Sequence, residues 1–82
     1  MPGIKMIPVV SSNVESIGYD EKTRRLGVKF LRGAAYVYAD VPLEKWQGCD
    51  LGGSVGKWLH KEIIGKYASE KVQEATNVRS GD

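Results

Sequence analysis

The segment "RLGVKFL" (residues 25–31) alternates without a break, with Leu26, Val28 and Phe30 on one side and Arg25, Gly27 and Lys29 on the other. Successive strand side chains point to opposite faces, so this pattern demands a half-buried strand in an antiparallel sheet. Its flanks follow from it. Upstream, "SSNVESIGYD" sets Ile17 and Tyr19 in alternation and runs into the polar turn residues "DEKT" at 20–23. Downstream, Arg32-Gly33 predicts a tight turn into "AAYVYAD", a stretch rich in β-favouring residues. The expectation is a three-stranded antiparallel meander.

Val41-Pro42 changes the pattern, because proline suits a helix start and stops a central strand. "PLEKWQGCD" then predicts a short helix ended by Gly48. Ser54 is placed to cap a second helix, whose apolar residues Val55, Trp58, Leu59, Ile63 and Tyr67 form one continuous stripe. Lys57 stands where a capping box would have Glu, so only half of that motif is present. The expected architecture is therefore α+β: a three-stranded antiparallel meander followed by two C-terminal helices packed on one sheet face. Residues 1–9, with two prolines and a glycine, read as a loose lead-in, 10–68 as the domain, and 69–82 as a polar, partly disordered tail.

Strand pairing decides which side chains face a partner. A two-residue turn at Arg32-Gly33 sets Phe30 opposite Ala35, Val28 opposite Val37 and Leu26 opposite Ala39. A four-residue turn at 20–23 sets Ile17 opposite Leu26 and Gly18 opposite Arg25. One face then collects Ile17, Tyr19, Leu26, Val28 and Phe30, with Ala35, Val37 and Ala39, as a core. The other collects Arg25 and Lys29 with Tyr36 and Tyr38, which would lie beside Lys29 and Gly27. Tyrosines across glycines can serve to cover backbone. Aromatics among cations on an open sheet can also stack bases and hold phosphates. A one-residue change in either turn would exchange the faces and bury both tyrosines under the helix.

Charge supports the second use more by its distribution than by its size. The chain of 82 residues carries a net +2, yet Lys22, Arg24, Arg25, Lys29 and Arg32 fall in one window with no acidic residue. A solvated strand face is the ordinary account of such a run, and a phosphate-binding patch of Arg25, Lys29 and Arg32 is the functional one. At 41% hydrophobic and 27% charged, the composition is that of a soluble globular domain. No apolar run approaches the roughly 18 residues of a membrane helix, and the N-terminal stretch lacks the apolar core of a secretory signal. A single cysteine, Cys49, excludes an internal disulfide, and a cytoplasmic protein is the expectation.

Catalytic and metal chemistry have little to build on. One cysteine and one histidine, Cys49 and His60, lack the spacing of metal ligands or of a nucleophile–base pair. "GCDLGGSVGK" looks like a phosphate loop but has Leu51 and Trp58 where the Walker pattern needs glycine and Ser or Thr. What survives is a possible anion site at Ser54, Gly56 and Lys57, set against the plainer reading of a linker and cap. No cofactor, metal or catalytic residue is expected.

Taken together, "SSNVESIGYD", "LGVKF…GAAYVYADVP" and "SVGKWLHKEIIGKY" resemble the KTSC domain, a family named for its occurrence at the C-terminus of some lysyl-tRNA synthetases. The resemblance covers about residues 10–67. Tyr36 and Tyr38 match its aromatic-x-aromatic pair, Ser54 and Gly56 its helix start, and Tyr67 its closing tyrosine. Ala68 departs from a frequent proline, and Trp58 from a usual tyrosine or phenylalanine. The resemblance implies a small bacterial or phage protein, brings RNA binding to mind through the synthetase context, and carries over no catalytic residue. The expected function is a non-enzymatic module for RNA or single-stranded nucleic acid, using Arg25, Lys29, Arg32, Tyr36 and Tyr38. The alternative is a protein-interaction module, with the oligomeric state left open.

Overall fold

The structure, a computed structural model, describes residues 3–72. Five strands form one antiparallel sheet in chain order: β1 (Ile7–Pro8), β2 (Val14–Asp20), β3 (Arg25–Phe30), β4 (Ala35–Tyr38) and β5 (Ser69–Val72). Between β4 and β5 lie α1 (Leu43–Gln47) and α2 (Val55–Trp58), the latter running directly into a π-helical turn (Leu59–Ile63).

The expected three-stranded meander with two C-terminal helices is thus overturned. Two strands flank the three foreseen, and the chain returns to the sheet after the helical segment. The physical reason lies at Gly65. Ile64 N–H donates to Leu59 O at 2.8 Å, closing the π turn, and Ile64 is already extended. Gly65 then takes φ +83°, a left-handed conformation that costs glycine nothing and other residues roughly 1–2 kcal/mol. The chain reverses there, and Ala39 N–H bonds Ala68 O at 2.9 Å, bringing β5 alongside β4. The first helix is also much reduced: α1 is a single turn that buries none of its residues.

The core lies under the α2–π segment. Val14, Ile17, Leu26, Val28, Val41, Val55, Leu59 and Ile63 are all at most 1% exposed and belong to one cluster. Val55, Leu59 and Ile63 are the i, i+4, i+8 members of the foreseen stripe, whereas Trp58 is only half-buried. Val14 and Ile17 are an odd number of residues apart and still share this face. A bulge between Val14 and Ser16 pairs Val14 with Phe30 and Ser16 with Lys29, absorbing the extra residue.

The sheet's second face is closed by backbone. Gly18 pairs with Gly27, both are buried, and residues 4–5 cross over Gly18, with Ile4 buried at 7% exposure. A Cβ built on Gly18 would lie 2.2 Å from Lys5 O, so only glycine permits this approach. Residues 3–9 therefore pack on the domain, and the part of the tail from 73 to 82 lies outside the described residues.

The candidate binding groove

Both hairpin registers differ from the sequence expectation, with unequal consequences. In the β2–β3 hairpin Ile17 pairs with Val28 and Asp20 with Arg25, a shift of two residues that leaves Ile17, Tyr19, Leu26 and Val28 on their foreseen face. In the β3–β4 hairpin Val28 pairs with Tyr36 and Leu26 with Tyr38, a shift of one. The connection is residues 31–34, not Arg32-Gly33 alone. Phe30 N–H bonds Ala34 O at 2.8 Å, Gly33 N–H bonds Phe30 O at 2.9 Å, and Gly33 sits at φ +102°.

One residue reverses the face. Tyr36 and Tyr38 therefore lie with Val28 and Leu26 on the core side, and Ala35 and Val37 lie opposite. Tyr38 is 6% exposed, and its hydroxyl is pushed above its ordinary pKa first by burial and then by Tyr36. Tyr36 is half-buried with its ring edge-on to Phe30, centroids 6.0 Å apart. The tyrosines do not share a surface with Lys29 or Arg25. Lys29 lies beside Glu15 at 3.7 Å, and Arg25 borders a shallow hollow with Val37 and Glu70 on the far side.

Arg32 fares differently. The hairpin tip carries it next to His60 and the β1–β2 loop, in a hollow of about 380 Å³ lined by Ser12, Asn13, Phe30, Leu31, Arg32, His60 and Ile64. This hollow adjoins a larger trough of about 860 Å³, because Ser12, Asn13 and His60 line both. Val10, Ser11, Gly53, Ser54, Gly56, Lys57 and Lys61 complete the trough. Three residues singled out for an anion, Ser54, Gly56 and Lys57, thus meet Arg32 along one groove. His60, Lys61, Ser12 and Asn13 were missed as site residues, since only the packing of the loop on the helix brings them there.

Local structure shapes the walls. The Ser11 hydroxyl accepts from the N–H groups of Asn13 and Val14, both at 3.2 Å, which folds the β1–β2 loop into a tight turn. Gly56 faces that loop, and a Cβ there would sit 3.8 Å from both Asn13 Nδ2 and Ser11 Oγ. Ser54 occupies the N-cap position without a side-chain capping bond, which leaves its hydroxyl to the trough. Neither hollow has a carboxylate among its lining residues. Among the described residues no ion-pair partner is found for Arg32, Lys57 or Lys61.

Next to Lys61 on the same helical segment, a charge is paired. Lys45 Nζ of α1 lies 2.7 Å from Glu62 Oε1; this bond holds the Glu62 carboxyl below its usual range and raises the Lys45 ammonium. Cys49 stands apart from the groove. Burial, with a smaller contribution from Asp50, pushes its thiol up to about 11, the wrong direction for a nucleophile. No group of three potential ligands among the described residues could hold a metal ion, and no described helix is long and apolar enough to cross a membrane.

The KTSC domain family matches residues 10–67, most of the described chain. The protein belongs to the KTSC domain family. A protein of Tsukamurella paurometabola is 36% identical over 55 residues, which make up 67% of this chain and 82% of that one. The crystal structure of a KTSC domain protein from Yersinia pestis superposes with a TM-score of 0.78 at 34% identity, covering 85% of this chain and 99% of that one. The groove is thus built from KTSC elements: the loop before β2, the β3–β4 tip and the helix start all fall within the matched span.

Proposed function

We propose that this KTSC domain is a small non-catalytic binding module for single-stranded nucleic acid, RNA above all, working in the cytoplasm, and that the groove between the β1–β2 loop, the helix and the β3–β4 tip is its binding surface. One observation carries this: Arg32, Lys57 and Lys61 line a continuous groove that has no carboxylate among its lining residues, in a chain whose net charge is only +2. Cations gathered along one groove attract polyanions, and hydroxyls and amides such as those of Ser11, Ser12, Asn13 and Ser54 bond phosphate and sugar oxygens. Tyr36 and Tyr38 then serve the fold, and the binding role foreseen for them passes to the groove.

Titration of a fluorescent single-stranded RNA at several salt concentrations tests the proposal. Neutralising about three phosphates implies a log–log slope near −2, at roughly −0.7 per phosphate. Lys57→Gln with Lys61→Gln should flatten the slope while leaving the melting temperature unchanged. Absent binding at low salt, or binding indifferent to salt, rejects nucleic acid. The protein-interaction alternative draws on Val10 and Leu31, apolar residues 94% and 54% exposed at the groove's margins. It would be favoured if a protein partner bound and Leu31→Ser abolished that binding.

A further inference from the structure

We infer that the smaller hollow at the β3–β4 tip is a base pocket, taking one unstacked base of a single strand while the larger trough holds the phosphates on either side. The inference rests on the groove being the nucleic-acid site and adds a division of labour within it. The two compartments differ in chemistry. The trough is lined by Ser11, Ser12, Asn13 and Ser54, by Gly53 and Gly56 and by the two lysines, beside Val10 and His60, and its hydroxyls and ammonium groups suit sugar and phosphate. The hollow is lined by Phe30, Leu31, Arg32 and Ile64, together with Ser12, Asn13 and His60, so the aromatic ring is found in the hollow and both lysines in the trough. Apolar and aromatic walls with a few polar groups suit a planar ring that has π faces and a hydrogen-bonding edge.

Size permits it. At about 380 Å³ the hollow sits near the bottom of the range for small-molecule sites and has room for a base. Bases inside a duplex are stacked and paired, so only a strand whose bases can splay outward could fill it. Phe30 is positioned to meet such a base. It is half-buried, edge-on to Tyr36 behind it, and its remaining surface lines the hollow. Ser12, Asn13 and His60 border both compartments, so a ligand alternating charged and flat parts runs from one into the other without a gap. A polyphosphate would use the trough alone.

The test compares ligands on the unaltered protein: short single strands of RNA and of DNA, each with ordinary bases or with abasic sites throughout, and inorganic polyphosphate. Stacking of about 1–3 kcal/mol per base predicts roughly 5- to 150-fold tighter binding of base-bearing strands than of abasic ones. Phe30→Leu should erase that ratio while leaving abasic binding unchanged. Leu31→Ala, an uncharged wall of the hollow at the exposed tip, repeats the test without disturbing the core if Phe30→Leu fails to fold. Equal affinity for base-bearing and abasic strands overturns the base pocket but leaves the groove as a phosphate site. No binding of any of these ligands overturns the groove and the pocket together.

Discussion

On one face of the sheet Ile17, Leu26 and Val28 are sealed beneath Leu59 and Ile63; on the other, Gly18, paired with Gly27, lies beneath the backbone of residues 4–5. The first face is closed by volume. Large side chains interdigitate there, and removing atoms leaves a void. The second is closed by proximity, with chain laid on chain where no side chain intervenes, so adding atoms does the harm. A small domain buries a limited share of its surface, and this arrangement protects both sides of the sheet with helix on only one.

The sharpest way to break this contrast is on the volume side. Ile63→Ala should lower unfolding free energy by about 2–5 kcal/mol, measured by denaturant titration, because Ile63 is 0% exposed within the core cluster. A loss below ~1 kcal/mol would mean that the helical segment is not what closes this face.

Next comes the glycine face. Gly18→Ala should cost about 1–3 kcal/mol by displacing the carbonyl of Lys5. The double mutant with Ile4→Ala sharpens the point. If Gly18→Ala has already lifted the N-terminal segment, removing Ile4 costs much less in that background than alone. Strict additivity would show that the segment stays in place and that the strain is absorbed elsewhere.

A smaller effect is expected where the two closures meet α1. Tyr19, on the helix side, stacks on Trp46 with centroids 5.8 Å apart and donates its hydroxyl to Val41 O. Tyr19→Phe keeps the ring and removes the bond, so about 1 kcal/mol should be lost with the Trp46 fluorescence environment retained. The smallest effect belongs to the Lys45–Glu62 pair, exposed enough for solvent to screen it. Glu62 is lowered, so its contribution is present above the ordinary carboxylate range and fades as pH falls through the folded value. Lys45 is raised, so its share is present below the ordinary lysine range and fades as pH rises through its folded value. Stability of Glu62→Gln against pH should therefore run parallel to the parent at neutral pH and converge with it in acid.

Why some of this was legible in the chain and some was not follows from the range of each signal. β3 and the Val55, Leu59, Ile63 stripe were readable because periodicity is local and each is long enough to declare its period. The register of β3 on β4 was not, because "LRGA" serves equally as a two-residue turn with flanks or as a four-residue connection. What separates the two is that Gly33 takes positive φ while Arg32 does not, whereas a two-residue type I′ turn would need both, and both tyrosines changed face with it. β5 escaped notice because "SEKV" is short, charged and follows a helical pattern, and β1 because Pro8 argues against a strand anywhere but at an edge, where it sits. Of the site, Arg32, Ser54, Gly56 and Lys57 carried individual signals. Their convergence on His60 is a product of tertiary packing, which no local pattern encodes.

The late arrival of β5 bears on the order of folding. β3 and β4 meet across residues 31–34, whereas Tyr38 finds Ser69 only after an excursion of about thirty residues, some seven times longer. Loop-closure entropy grows as three-halves of RT times the logarithm of length, which makes the second closure costlier by roughly 2 kcal/mol. That cost falls before any β4–β5 bond has formed. The two hairpins around β3 should therefore form first, with the helical segment condensing on them and β5 zipping up last. Hydrogen exchange would then find the amides of β3 the slowest in the sheet and those of β5 among the fastest, even though both strands pair with all four residues of β4 in the native fold.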